Sequence, residues 1–186
     1  MIKVKREGFT IIEIIAAIAI FAISSSIIVF TIDASAKIYK RENVKFSTSS
    51  AVNSLIQQLK AKGVGSPTTG GAINSIADIY ALNRKGYVIY FNYEDLPKTL
   101  EDTSTYIRGI DEYNPSFEDI KNYKDKISSK KYAAYMEIKR EVNKNLNKPD
   151  SLNIQWFYNY YTVEIKVWDM DAGSNSIASS STSVSR

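Results

Sequence analysis

The chain has 186 residues, 24 Lys and Arg against 20 Asp and Glu, and a formal net charge of +4. It contains no Cys and no His, which excludes disulfides, thiol chemistry, imidazole bases and His-ligated metals. No Gly-rich phosphate loop and no nucleophile elbow is present, so the sequence offers no footing for an enzyme. Lys3, Lys5 and Arg6, offset by Glu7, carry about half of the net charge. The remainder is too weakly basic for a nucleic-acid partner, which needs cations clustered on one face.

The first feature in chain order is that short basic leader, which ends at Gly8. Phe9-Thr10-Ile11-Ile12-Glu13 then opens an apolar run reaching Ile32. The run exceeds the roughly 20 residues a helix needs to cross a bilayer. A secretory signal has a shorter core and a small-residue cleavage site after it. Here no such site follows, and the one obvious processing point lies before the core, at Gly8-Phe9, where a small residue lets a protease approach the backbone. Glu13 sits inside the run. A charge within a membrane helix costs roughly 2.5–3.5 kcal/mol on insertion scales, which makes Glu13 a functional candidate.

Lys5-Arg6-Glu7-Gly8-Phe9-Thr10-Ile11-Ile12-Glu13 resembles the leader of type IV prepilins and type II secretion pseudopilins. The resemblance covers about a fifth of the chain. It implies cleavage after Gly8 by a membrane prepilin peptidase and N-methylation of Phe9. Glu13 stands at the family's glutamate position, and no catalytic residue is implied. The implied partners are other pilin subunits, the peptidase, the membrane platform of an assembly machine, and the membrane itself before assembly. The implied location is the cytoplasmic membrane as a single-pass precursor, then an extracellular pilus or pseudopilus. Many Gram-negative members close a C-terminal loop with a disulfide, and this chain departs from that pattern.

Cleavage would give Phe9 a positive α-amine. Opposite charges a few ångströms apart attract far more strongly in a low dielectric than in water. A carboxylate neutralised only by a neighbour's amine would favour assembly in one register. The plainer alternative is a signal anchor whose Glu13 snorkels to the interface. Charge counting does not orient the span, because Lys37, Lys40, Arg41 and Lys45 follow it much as Lys3, Lys5 and Arg6 precede it.

Beyond the span, residues 34–62 lack Pro and Gly, and Val52, Leu55, Ile56 and Leu59 recur at helical spacing. Lys60 and Lys62 suit a last turn, and Gly63, Gly65 and Pro67 supply a stop. One helix from Phe9 to Lys62 is expected, about 80 Å long at 1.5 Å per residue. Ser24-Ser25-Ser26 can bond back to earlier carbonyls, or, with Ala16, Ala17, Ala19 and Ala22, offer a small-residue contact face. The contact face is the simpler reading.

Gly63 to Gly71 reads as a loop. Ile76 to Asn83 and Tyr87 to Tyr93 read as strands of a hairpin turning at Asn83-Arg84-Lys85-Gly86. Leu96 to Pro115 looks irregular. Ser116 with Asp119, followed by Ile120, Tyr123 and Ile127, suggests a short capped helix. Tyr132 to Val142 fits strand or helix, with strand preferred because a turn-rich stretch, Asn143 to Asp150, and clear strand material follow it. Leu152 to Tyr158 and Tyr161 to Trp168 read as a second hairpin, with Val163, Ile165 and Val167 on one face. The Ser-rich tail, Gly173 to Arg186, is a polar edge strand or disordered, and the resemblance favours the strand.

The expected fold is α+β and pilin-like: one long N-terminal helix, half apolar and half amphipathic, packed on a C-terminal antiparallel sheet. The expected division is a cleaved leader (1–8), a membrane or filament-core half-helix (9–32), an amphipathic half-helix (33–62) and a globular head (63–186). Asp169, Asp171 and Asn175 offer alternating oxygen ligands as calcium loops do. The twelve-residue pattern with its terminal Glu is absent, however, so a plain polar turn is preferred and no cofactor is expected. Thirteen tyrosines could stack on single-stranded nucleic acid, but alternating Tyr more often builds strand core and rim. The leading expectation is a structural filament subunit, a minor pilin. The alternatives are a pseudopilin of a secretion or DNA-uptake machine, and a single-span anchored surface protein.

Overall fold

The computed structural model describes residues 10–65, 72–82, 86–108, 115–124, 130–142, 159–174 and 176–184. By its internal contacts the chain divides into two compact units, Met1–Asn43 and Val44–Arg186. One helix, α1 (Ile11–Lys62), contributes to both. Its uninterrupted length follows from the absence of Pro and Gly between its ends.

Among the described residues of the first unit, α1 has no other helix or strand to pack against. Ile11 is 78% exposed, Phe21 74% and Phe30 73%. This segment is long and apolar enough to cross a membrane, and none of its most apolar stretch is buried within the protein. Ser26 Oγ donates to the Ala22 carbonyl at 2.9 Å and Thr31 Oγ1 to the Ile27 carbonyl at 2.8 Å. Both hydroxyls thus find acceptors inside their own helix, which lets them sit in lipid without an orphaned donor.

The second unit is built around the C-terminal part of α1. Thr48, Ala51, Val52, Leu55 and Leu59 are buried there at three- and four-residue steps. They face a five-stranded antiparallel sheet of order β2-β1-β3-β4-β5. Its strands are β1 (Tyr87–Phe91), β2 (Ile107–Arg108), β3 (Tyr132–Val142), β4 (Asn159–Asp169) and β5 (Ile177–Val184). Alternation divides β1, β3 and β4 between two cores. Tyr87, Ile89, Phe91, Ala134, Met136, Val163, Ile165 and Val167 pack with the α1 stripe. On the opposite face Val88, Tyr90, Ala133, Tyr135 and Trp168 pack with Ile120 and Phe117 of α4 (Phe117–Lys124). The expected α+β arrangement of a long helix on an antiparallel sheet is therefore present, with a small helix covering the far face.

Several local expectations hold. The ambiguous Tyr132–Val142 segment is a strand, paired with β4 along its whole length from Tyr132↔Asp169 to Val142↔Asn159. The tail forms edge strand β5, in register Trp168↔Ile177 to Tyr161↔Val184. Ser116 and Asp119 close the expected capping box, with Asp119 N–H donating to Ser116 Oγ at 3.3 Å and Ser116 N–H to Asp119 Oδ2 at 2.8 Å.

Others do not. Residues 76–81 form a helix, α2 (Ile76–Ala81), in place of the expected strand. Ser75 and Asp78 make a reciprocal capping box: Asp78 N–H donates to Ser75 Oγ at 3.2 Å, and Ser75 N–H to Asp78 Oδ2 at 2.9 Å. That box satisfies two of the four N–H groups a helix start leaves free. The first hairpin is consequently absent, and β1 pairs with β2 and β3. Gly86 serves a close approach instead, since a Cβ there would lie 2.4 Å from the Tyr135 hydroxyl oxygen. The expected turn residues 83–85 lie outside the described residues, as do the loop residues 66–71.

The second hairpin is also corrected: both edges of β4 are taken, by β3 and β5, while residues 152–158 lie outside the described set. Within the supposedly irregular 96–115 stretch stand α3 (Leu96–Thr99), a 3-10 turn at Thr103–Thr105 and β2. Pro97 occupies the first turn of α3, where its missing N–H costs nothing.

Candidate functional site

Gly8 and Phe9, the expected cleavage residues, lie outside the described residues. The site begins for the structure at Thr10, one residue before α1. Thr10 N–H donates to Glu13 Oε2 at 2.8 Å, and Thr10 Oγ1 donates to the same oxygen at 3.0 Å. Glu13 N–H donates back to Thr10 Oγ1 at 3.3 Å. This is a capping box, read from Thr-x-x-Glu. Sequence reasoning singled out Glu13 and missed Thr10 as its local partner, although the spacing of the two residues was the signal.

The box changes what Glu13 does in a single chain. In hydrocarbon, where no water reaches the helix end, each unsatisfied N–H costs several kcal/mol. Glu13 Oε2 takes up one such N–H, that of Thr10, together with the Thr10 hydroxyl, and it lies at the positive end of the helix dipole. Among the described residues, Oε1 has no partner. One carboxylate thus holds its own helix start with one oxygen and presents the other outward.

The next ionisable residue along α1 is Asp33. Glu13 and Asp33 stand about 30 Å apart along the helix axis at 1.5 Å per residue, one hydrocarbon thickness. The two carboxylates therefore flank an uncharged apolar stretch long enough to cross a membrane. Lys37 Nζ meets Asp33 Oδ2 at 2.7 Å one turn further on. Between them lie Ala16, Ala17, Ala19, Ala22 and the three serines, all surface-facing or half-exposed. That surface allows close approach of another helix.

The β4–β5 turn is occupied by its own hydrogen bonds. Asp169 is buried, and its Oδ1 accepts the Asp171 N–H at 3.0 Å. Its Oδ2 lies 3.8 Å from Lys131 Nζ. Ser176 Oγ bridges the turn, 2.8 Å from the Asp169 carbonyl and 2.6 Å from that of Gly173. Asn175 lies outside the described residues. Among those described, no group of three His, Cys, Asp or Glu side chains is placed to hold a metal.

The tyrosines of the head are chiefly structural. Tyr87 donates to the Ile79 carbonyl at 2.8 Å, Tyr90 to that of Ile120 at 2.5 Å and Tyr106 to that of Leu100 at 3.0 Å. Burial pushes the Tyr106 hydroxyl far above its ordinary pKa. Two more tyrosines grip α1: Tyr93 Oη donates to the Ser47 carbonyl at 2.7 Å, and the Tyr132 and Ser47 hydroxyls meet at 2.5 Å. Of the Tyr158, Tyr160 and Tyr161 group, Tyr158 lies outside the described residues. Tyr161 is buried beside Tyr80, ring centroids 5.5 Å apart.

Residues 3–29 match the family model of the prokaryotic N-terminal methylation motif. No curated protein and no solved structure matches the chain. The matched stretch covers the basic leader, Gly8-Phe9, the Thr10–Glu13 box and most of the apolar half of α1. The chain thus carries the signature of type IV pilins and pseudopilins, on a long apolar helix that suits a membrane-anchored precursor.

Proposed function

We propose that the chain is a structural subunit of a type IV pilus or related filament, and a minor one. The precursor spans the cytoplasmic membrane once. A prepilin peptidase cuts between Gly8 and Phe9 and methylates Phe9, the membrane platform of the assembly machine extracts the subunit, and the head then lies outside the cell. Glu13 Oε1 accepts the α-amine of a neighbouring subunit's Phe9. The observation that carries this reading is the apolar, outward-facing half of α1, whose one carboxylate keeps an oxygen free. Such a surface must be covered by lipid or by copies of itself. The minor assignment rests on a helix without the proline that many major pilins carry, and on the elaborated α2–α4 region.

Mass spectrometry of the native N-terminus tests the processing: a chain beginning with methylated Phe9 is expected, whereas an intact Met1 would reduce the protein to a surface anchor. Glu13→Ala tests the assembly step. The mutant is expected to insert in the membrane as before and to be lost from filaments. Incorporation at wild-type level would remove Glu13 from the mechanism.

A further inference from the structure

Lys40 and Arg41 follow the span closely and are exposed. Among the described residues neither makes an ion pair. Lys37, three and four positions earlier, is spent in part on Asp33. Glu42 and Lys45 each have an interaction of their own, which leaves Lys40 and Arg41 as the unpaired cations of this stretch. Positions 37, 40 and 41 share one helix face. Tyr39, 75% exposed, stands on another face at the same depth; its apolar ring and polar tip suit a membrane interface.

The depth can be set from Asp33. Lys37 lies about 6 Å beyond it along the axis, and Lys40 and Arg41 about 10–12 Å. The polar headgroup region extends roughly 5–7 Å past the hydrocarbon on each side. Lys37 therefore sits within that region, and the other two sit just above it, inside a Debye length of about 8 Å at physiological salt. Their long side chains can reach back toward phosphate while the helix stays in place.

We propose that Lys37, Lys40 and Arg41 form a basic stripe that binds the phosphates of anionic phospholipids in the leaflet on the C-terminal side of the span. Charge complementarity and continuity with the span select a lipid surface as the occupant. At this height guanidinium and ammonium groups lie within side-chain reach of the headgroup phosphates. The stripe gives the subunit a defined depth while it waits in the bilayer. It requires only the span, and neither filament assembly nor cleavage.

The test uses the full chain in nanodiscs. The chain has no Cys, so Ala36→Cys accepts a single fluorophore beside Lys40. Spin-labelled phosphatidylglycerol and spin-labelled phosphatidylcholine are compared as contact quenchers, whose short range reports only the nearby leaflet. Each cation close to an anionic surface favours it about fivefold, so after screening the glycerol lipid should be enriched around the dye by on the order of tenfold. The enrichment should vanish in K37Q/K40Q/R41Q and in high salt, and return in K40R with the other two restored. Equal quenching by the two lipids, or a preference that survives the triple substitution, would overturn the proposal. The substitutions lie on an exposed helix face, and unchanged helicity by circular dichroism would separate loss of binding from loss of structure. Failure of this experiment would leave the pilin reading intact, since that reading is judged at Phe9 and Glu13.

Discussion

Thr10 and Glu13 close a capping box at the start of α1. The capping box ties Glu13 to its own helix start, so replacing Thr10 should be felt through Glu13. Thr10→Ala removes the hydroxyl that holds Glu13 Oε2 and receives its N–H. The loss of an N-cap costs about 1 kcal/mol, and the expected outcome is fraying of the first turn of α1, read as faster amide exchange at residues 13 and 14 in micelles. Protection unchanged from wild type would show that the box does not hold the helix end. Two glycines at the other end of α1 make a second, sharper comparison. Gly63 and Gly65 both have left-handed backbones, φ 66° and 56°. A Cβ on Gly63 meets nothing within 4 Å, whereas one on Gly65 would lie 2.3 Å from the Ser75 Cβ. Gly63→Ala should therefore cost about 1 kcal/mol for backbone strain alone. Gly65→Ala should cost clearly more, because Ser75 is locked in the α2 box and cannot retreat. Denaturant melts of the two variants side by side would check the order.

At the scale of elements, the C-terminal part of α1 owes its place to a stripe rather than to propensity. Leu59 is fully buried in the larger core while Phe46 on the same helix is 76% exposed. Leu59→Ala should destabilise the head by about 3 kcal/mol, in the range of buried leucine truncations. Phe46→Ala should stay within about 0.5 kcal/mol. Equal effects would mean that the helix does not dock on the sheet as described.

The turn between β1 and α3 is expected to respond to acid. Burial would raise the Asp95 pKa, but the hydrogen bond from Lys130 and the Asn92 N–H, 2.7 Å from Oδ1, outweigh it and hold the carboxyl below its ordinary value. Asp95 therefore contributes its full stability above about pH 4, the unfolded value, and loses it as pH falls through the lower folded one. Thermal melts between pH 5 and pH 2 should show this loss, and Asp95→Asn should flatten the slope. The β4–β5 turn is closed by Asp169, Asp171 and Ser176 among themselves. Chelation with EDTA is expected to leave the melting temperature unchanged. A fall would assign calcium to Asp169 and Asp171.

The whole molecule joins two solvents in one chain. The first unit holds the exposed apolar stretch of α1, and the unit from Val44 onward buries its own core. Only α1 belongs to both. The head's exposed edge, β5, is short on large apolar groups, with Ser179, Ser180, Ser181, Thr182 and Ser183 in a row. A polar edge of this kind resists uncontrolled strand addition.

What the sequence determined by itself is the N-terminal third and the class of the fold. A long apolar run, a buried-stripe period and the Gly-Phe-x-x-x-Glu spacing are local patterns, and local patterns can be read without knowing what packs where. The Thr10 and Ser75 boxes were equally local, and so were legible in principle from Thr-x-x-Glu and Ser-x-x-Asp. Pairing was different. Tyr87–Phe91, Tyr132–Val142 and Asn159–Asp169 each declare themselves as strand material, yet nothing within them names their neighbours. Only the packed head decided that β3 lies between β1 and β4, because partner choice depends on which faces the α1 stripe and the α4 residues can cover at once. The same limit applies to Ile76–Ala81, where an apolar run of strand length became a helix once its start was capped and its face met the core.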